Sequence, residues 1–274
     1  MKLTGDFPEM LRDWRARRGM SQLQLAHDAG VSQRHISFLE LARSRPSREM
    51  VLRLSASLGV PLRDQNDLLL AAGHAPAWSQ DTVDSEKPEM LDRAVDYMLN
   101  RHDPYPAFIL DRQWNLLRVN RGGAWFAGHL TEGPPVVTDP EAPVNLADAF
   151  IGPGSMRRVV LNWEDTARYF LHAVRKDYLA DGTPETGALL ERLLGYPGAR
   201  TLYESPESPP MGDAALTFDT DDGTIKLRVF TTLATLGTPL TVAAQEIRIE
   251  YFFPADKATE QVFLSLGSGR PGPD

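Results

Sequence analysis

Polar side chains able to hydrogen-bond to the edges of DNA bases are concentrated in "SQRHISFLE", residues 32–40. At about 100° per residue on a helix, Gln33, Arg34 and Ser37 fall on one side, while Ile36 and Leu39 fall on the other. Arginine pairs with guanine and glutamine with adenine through two hydrogen bonds each, which gives about 1–3 kcal/mol of base discrimination. The segment therefore predicts a helix that buries its apolar side and presents its polar side to a duplex groove.

The residues before this helix have the features needed to hold it in place. Ser21 can cap a first helix, Ala26 is small enough for close helix contact, and Gly30 suits the turn between the two helices. The apolar residues expected to fix both helices to a core are Leu25, Val31, Ile36 and Leu39. Together these features predict a helix-turn-helix, with a plain helical packing unit as the alternative.

Similar helix patterns, most of them closed by glycine, continue from residue 9 to residue 72 and predict an all-α domain of five helices. The polar stretch that follows contains two prolines and predicts a linker. We place the DNA-binding domain at residues 1–76, the linker at 77–90, a second domain at 91–265 and a flexible tail at 266–274.

Charge is distributed unevenly along this chain of 274 residues, whose net charge is −8. Residues 1–76 contain 11 Lys and Arg against 8 Asp and Glu, whereas the remainder contains 18 against 29. A locally basic surface on an acidic protein is compatible with phosphate binding, because screening limits charge interactions to about 10 Å. The absence of cysteine and of long apolar runs leads us to expect a cytoplasmic protein without membrane association.

The stretch "RARRGMSQLQLAHDAGVSQRHISFLELARSRPS", residues 15–47, resembles the DNA-binding domain of the phage-repressor-like, or xenobiotic-response-element (XRE), family. The resemblance implies that the start of the second helix meets base edges in the major groove of double-stranded DNA, with phosphate contacts around it. The implied DNA-contacting residues are Gln22, Ser32, Gln33, Arg34, Ser37, Phe38, Arg43, Ser44 and Arg45.

Two further features follow from the same resemblance. Arg15 and Glu40 match a buried ion pair that joins the first helix to the end of the DNA-reading helix. The family usually has glycine after that helix, whereas this chain has Ala42. The alanine either lengthens the helix or strains the turn.

The second domain alternates helical and strand-like segments. A helix is expected over "EMLDRAVDYMLNRHD", followed by two short strands in "PAFILDRQWNLLRVN" and a helix from about residue 157 to 179. A hairpin turning at Asp222-Gly223 and a half-buried strand in "LTVAAQEIRIEYF" come last, the latter with Glu246, Arg248 and Glu250 on its polar side. This order predicts an α+β domain with an antiparallel five-stranded sheet.

The segments "PAFILDRQWNLLRVNRGGAWF" and "NWEDTARYFLHAVRKDYL", with the final strands, resemble the MmyB-like domain, a PAS-like ligand-binding module. The resemblance implies a transcription regulator that binds a small apolar ligand such as a long-chain fatty acid. Core packing is the alternative for each aromatic candidate, and Arg168 either reaches water, pairs with an acid or holds a ligand carboxylate. The candidate ligand-binding residues are Trp125, Phe126, Trp163, Arg168, Phe170, Phe230 and Tyr251.

Enzyme motifs are not evident in the sequence. The six histidines lack metal-ligand spacing, and "GPGS" at 152–155 lacks the lysine of a phosphate loop. We therefore expect no catalysis, no metal and no cofactor beyond a bound apolar ligand. The sequence favours a homodimeric, ligand-responsive DNA-binding regulator; the alternatives are a constitutive DNA-binding protein whose second domain only dimerises and one whose second domain binds a partner protein.

Overall fold

The structure is a computed structural model. It describes residues 5–79, 89–131, 144–154, 156–205, 217–237, 239 and 241–267. Residues 80–88 of the predicted linker and residues 268–274 of the predicted tail therefore lie outside the described residues. None of the described helices is both long and apolar enough to span a membrane.

Five helices form the N-terminal domain: α1 (Phe7–Arg17), α2 (Gln22–Asp28), α3 (Gln33–Glu40), α4 (Arg48–Ser57) and α5 (Leu62–Ala71). The hydroxyls of Ser21, Ser32 and Ser47 accept hydrogen bonds from first-turn backbone N–H groups of α2, α3 and α4. These bonds satisfy donors that a helix leaves unpaired at its start. The predicted all-α domain of five helices is confirmed.

One side of each helix supplies the core of the N-terminal domain. Trp14, Leu25, Ile36, Leu39 and Leu54 are each at most 1% exposed. Because Ile36 and Leu39 are buried, the side of α3 opposite to them must face outward.

The C-terminal domain is built on one antiparallel sheet of five strands, arranged in the order β2-β1-β5-β4-β3. The strands are β1 (Ala107–Leu110), β2 (Leu116–Val119), β3 (Thr217–Asp221), β4 (Lys226–Ala234) and β5 (Arg248–Pro254). The hairpin between β3 and β4 turns at Gly223, whose φ of 86° suits glycine. The predicted α+β, PAS-like domain is confirmed.

Helices cover both faces of this sheet. On one face, α6 packs over Ile109 and Ile249; the opposite face carries Phe108 and Phe252 and holds the main core. The helices of this domain are α6 (Glu89–His102), α7 (Arg121–Thr131), α8 (Leu146–Ile151), α9 (Met156–Val159), α10 (Trp163–Asp181), α11 (Pro184–Leu194), α12 (Ala199–Glu204), α13 (Val242–Glu246) and α14 (Lys257–Gly267).

The helix expected over residues 157–179 is interrupted. The backbone is not helical between α9 and α10, because residues there bond to a strand instead. Leu161 N–H donates to the Asp219 carbonyl at 2.7 Å, and Asn162 Nδ2 donates to the Thr217 carbonyl at 2.6 Å. These bonds join residues 160–162 to the edge strand β3 before α10 begins.

The strand expected across residues 240–252 is also wrong in its first half. The Thr241 hydroxyl accepts from Ala244 N–H and caps α13, whose alanine, glutamine and glutamate residues favour helix. Only the second half forms β5. At the C-terminal end, α14 continues to Gly267, two residues into the predicted tail.

Candidate DNA-binding face and ligand cavity

The outer face of α3 is polar and open. Ser32, Gln33 and Arg34 are exposed, while Ser37 and Phe38 are partly exposed. The Arg34 guanidinium lies 5.1 Å from the centroid of the Phe38 ring, close enough for a cation–π contact. Arg34 stays exposed beside the ring. The side chains expected to read bases are therefore presented together, although their DNA contacts stay predictions.

The loop after α3 resolves the question raised by Ala42. The helix ends at Glu40, and Ala42 adopts φ +56°, so the alanine strains the turn and does not lengthen the helix. Arg43 and Arg45 are exposed and Ser44 is partly exposed, as phosphate contacts would require.

We expect Ala42→Gly to raise the free energy of unfolding by about 0.5–1 kcal/mol, because glycine adopts this conformation without a Cβ clash. Urea denaturation measures the change. The control is Ala16→Gly within α1, which should lower stability by about 1 kcal/mol. A loss of stability at both positions would contradict the strain at Ala42.

Behind the outer face, Arg15 and Glu40 form a partly buried ion pair between α1 and the end of α3, with the Arg15 side chain 17% exposed and the Glu40 side chain 3% exposed. Arg15 Nε and Nη2 donate to the two Glu40 carboxylate oxygens at 2.6 and 3.0 Å. Gln22 Nε2 also donates to this carboxylate, at 2.8 Å. The expected phosphate contact of Gln22 stays a prediction, and in this structure its amide supports the pair.

The Glu40 carboxylate is ionised because its partners outweigh its burial. Burial alone would raise the pKa of Glu40, but hydrogen bonds from Arg15 and Gln22 hold this pKa below its ordinary value. The pair thus joins the helix that supports the domain to the helix expected to read DNA.

A second candidate site lies in the C-terminal domain, between the sheet and the helices that cover its main core. The unfilled space here, counted together with the open solvent that adjoins it, is about 390 Å³. Four Leu, Met and Val side chains line it beside six aromatic ones and one glutamate. The aromatic lining residues are Phe108, Phe126, Phe150, Phe170, Phe218 and Phe252.

Glu250 of β5, which carries a carboxyl group, also lines the cavity and is only 7% exposed. The sequence interpretation placed it on the solvent side of a half-buried strand, which is wrong because helices cover both faces of the sheet. Burial raises the pKa of Glu250 to about 7, against the effect of a hydrogen bond with Thr231. Its Oε2 atom has no hydrogen-bond partner among the described residues.

Comparison with known protein families matches both halves of this architecture. The model of the MmyB-like transcription regulator ligand binding domain matches residues 91–266, more than half of the chain. The chain belongs to this MmyB-like family. A helix-turn-helix family model matches residues 11–65, so the MmyB-like protein is a DNA-binding transcription regulator with a ligand-binding domain. No curated protein matches the chain.

The MmyB-like cavity contains some of the predicted ligand residues and not others. Phe126 and Phe170 line it. Phe230 and Tyr251 lie on the opposite face of the sheet, where they pack against Phe253 and His102, respectively. Their assignment as cavity residues is corrected, because side chains alternate between the two faces along a strand.

The remaining candidates are held by other contacts. The indole of Trp163 donates to the Phe150 carbonyl at 2.9 Å, and Trp125 stacks on His129 with ring centroids 5.8 Å apart. Neither tryptophan is among the residues that line the cavity. Arg168 donates a hydrogen bond to Asp165 at 3.2 Å. Of the three alternatives given for Arg168, the structure therefore shows pairing with an acidic residue.

The two domains of the MmyB-like regulator contact each other away from the α3 face. Leu62 N–H, at the start of α5, donates to Gln245 Oε1 at 2.6 Å. Arg63 donates to both Glu246 carboxylate oxygens at 2.7 Å. These contacts connect α5 to α13 and leave the outer side chains of α3 accessible.

A buried charge cluster continues this interface, and the sequence analysis missed it. Arg112 Nε donates to Asp181 Oδ2 at 2.8 Å, and Arg112 Nη2 lies 3.8 Å from Asp64 Oδ2. Arg112, Asp64 and Asp181 are each at most 6% exposed. Burial raises the pKa of Asp64 to about 6, although the Arg112 charge opposes this rise. The cluster therefore links the charge state of Asp64, in the N-terminal domain, to the contact between the two domains.

Proposed function

We propose that this transcription regulator binds double-stranded DNA as a homodimer on a two-fold related site and responds to a small apolar ligand. The observation that carries the DNA-reading part is the exposed Gln33 and Arg34 on a short helix whose opposite side is buried. One such helix contacts too few base pairs for genomic specificity, which favours two copies on one site. We place the domains at residues 1–76 and 91–265, and the protein in the cytoplasm.

An apolar ligand such as a fatty acid is the proposed occupant of the cavity. Phenylalanine walls suit an acyl chain, since binding sites for small molecules are lined mostly by hydrophobic and aromatic side chains. The ligand would act as a switch by favouring one arrangement of the DNA-binding domains over another. Mass spectrometry of the denatured, freshly purified protein tests for a bound lipid, and thermal shift assays test added fatty acids.

A constitutive regulator whose C-terminal domain only dimerises is the second candidate. The observation that favours it is the close packing of the cavity walls. The ring centroids of Phe126 and Phe252 lie 5.1 Å apart, and those of Phe150 and Phe170 lie 5.6 Å apart. No co-purified lipid and no thermal shift with fatty acids would support this alternative.

We expect Arg34→Ala to weaken binding to the specific DNA site about 5- to 150-fold, because one bidentate base contact is lost. Binding to unrelated DNA should change much less. The comparison variant is Arg43→Ala, for which a phosphate contact predicts similar weakening on all sequences. Fluorescence anisotropy with both duplexes at fixed salt measures these effects, and equal losses on both duplexes for Arg34→Ala would show that Arg34 touches only phosphate.

A further inference from the structure

Arg34 and Phe38 form a pair on the exposed face of α3. They are one helical turn apart, and the Arg34 guanidinium lies over the Phe38 ring, 5.1 Å from its centroid. Within the part of the chain that the structure describes, Arg34 makes no hydrogen bond or ion pair. The guanidinium therefore keeps its N–H donors for a molecule that binds this face.

The Phe38 ring is equally available to such a molecule. It is only partly buried, whereas Ile36 and Leu39, on the other side of the helix, are fully buried. Among the described residues, the hydrophobic core of the N-terminal domain and the partly buried residues packed against it do not include Phe38. An apolar ring that the core does not use, on a face otherwise made of polar side chains, points to an apolar group on the partner.

The stacked ring also fixes where on a duplex that apolar group would be. Arginine bonds to guanine through two N–H groups directed at N7 and O6, so its guanidinium lies close to the plane of that base. A ring stacked on the guanidinium then lies to one side of this plane. Successive base pairs are about 3.4 Å apart along the duplex. Because the 5.1 Å between guanidinium and ring centroid is less than two such steps, the ring meets the edge of the adjacent base pair.

The groups that this base pair presents decide what the ring can contact. In the major groove adenine, guanine and cytosine present hydrogen-bonding groups, whereas thymine also presents its C5-methyl group. A phenyl ring would take water away from the polar groups without bonding to them, which is unfavourable. It packs favourably against a methyl group.

We infer that Phe38 reads the C5-methyl group of a pyrimidine in the base pair next to the guanine that Arg34 contacts, an assignment that rests on the proposed sequence-specific DNA binding. The two side chains thus read two adjacent base pairs as one step. Thymine supplies the methyl group in unmodified DNA, and 5-methylcytosine supplies the same group at the same ring position. Binding therefore responds to the methylation of a cytosine at this place.

Selection of random-sequence duplexes by the purified full-length protein locates the two bases. We expect the wild-type motif to contain a guanine with thymine in the adjacent base pair. Arg34→Ala should lose the preference for the guanine, and Phe38→Ala should lose the preference for the thymine. Leu70→Ala, at a position of α5 that is 55% exposed, is the matched control and should select the wild-type motif. Thermal unfolding checks that each variant is folded.

Base analogues in a selected duplex test the methyl group itself. Replacing the thymine with uracil removes only the C5-methyl group, and the wild type should then bind about fourfold more weakly, as expected when one methyl-sized apolar group loses its contact. In a second pair of duplexes with cytosine at this position, 5-methylation should strengthen binding by about the same factor. Phe38→Ala should bind both members of each pair equally. Fluorescence anisotropy at fixed salt measures these affinities.

Other outcomes overturn the assignment in recognisable ways. Equal wild-type binding of the thymine and uracil duplexes, or a methyl preference that persists in Phe38→Ala, would refute it and leave sequence-specific DNA binding standing. Preferences lost by Arg34→Ala and Phe38→Ala at base pairs that are not adjacent would do the same. A response to the thymine methyl group without a response to cytosine methylation would refute the claim that the methyl group decides. Failure of the wild type to enrich any motif would count against sequence-specific binding and this assignment together.

Discussion

Arg112→Met is expected to lower the free energy of unfolding by about 3 to 5 kcal/mol at slightly alkaline pH. The substitution removes the guanidinium that bonds to Asp181 and lies beside Asp64, while both carboxyl groups stay buried. Isolated buried charge is strongly unfavourable, and methionine preserves much of the arginine volume. Urea denaturation monitored by tryptophan fluorescence measures the loss.

The pH dependence provides a second measurement of the same substitution. In the wild type, burial raises the pKa of Asp64 to about 6, so its ionisation opposes folding as the pH rises from about 3.8 to 6. Without Arg112, the ionised carboxylate loses its nearby cation and opposes folding more strongly. The destabilisation by Arg112→Met should therefore be smaller near pH 5 than near pH 8. Asp67, Asp181 and Glu246 also act on Asp64.

Arg192→Met is the matched control in the same domain. Arg192 also bonds to a carboxylate, that of Asp148, but its side chain is 50% exposed. Water can solvate the remaining carboxylate, so the expected loss is below about 1 kcal/mol. Similar losses for Arg112→Met and Arg192→Met would contradict a special role for the buried cluster.

Arg15→Met should lower the free energy of unfolding by about 3 kcal/mol or more. The change leaves Glu40 buried, with only its hydrogen bond from Gln22 and the more distant charge of Arg12 to stabilise the carboxylate. Because partners hold the pKa of Glu40 below its ordinary value, the stabilisation is present above about pH 4.5 and is lost as the pH falls through the lowered pKa. Thermal unfolding at neutral and acidic pH measures both effects.

Arg53→Met tests whether any arginine in an ion pair would give this result. Arg53 pairs with Glu49 one turn away on α4, and both side chains are well exposed. The expected loss is below about 0.5 kcal/mol. If Arg15→Met were no more harmful than Arg53→Met, the buried pair would not stabilise the domain.

The N-terminal domain was predictable because its determinants are local. Ser21 and Ser32 cap their helices, and Gly30 has the positive φ that a turn between helices requires. Ile36 and Leu39 are buried as their helical spacing indicates. Each of these signals lies within one turn of the feature it specifies, so the sequence contains enough information to identify it.

The C-terminal domain was less predictable where distant segments decide burial. The alternation of polar and apolar residues around Glu250 fits a strand with one solvent-exposed face. Only the packing of helices on both sides of the sheet shows that both faces are covered. The partners of Arg112 are equally distant in sequence, since Asp64 and Asp181 come from different domains. Helical periodicity in residues 157–179 also could not reveal that Leu161 and Asn162 bond to β3.

The hydrogen bond from Leu62 N–H to Gln245 also limits how this protein can be recombined. Pro61, the residue before α5, contributes no side-chain cap, and the glutamine of the other domain accepts from this amide instead. A chimera that joins residues 1–76 to an unrelated sensor would leave the amide without that acceptor. Exchanging this DNA-binding domain between regulators therefore calls for transferring the matching acceptor along with it.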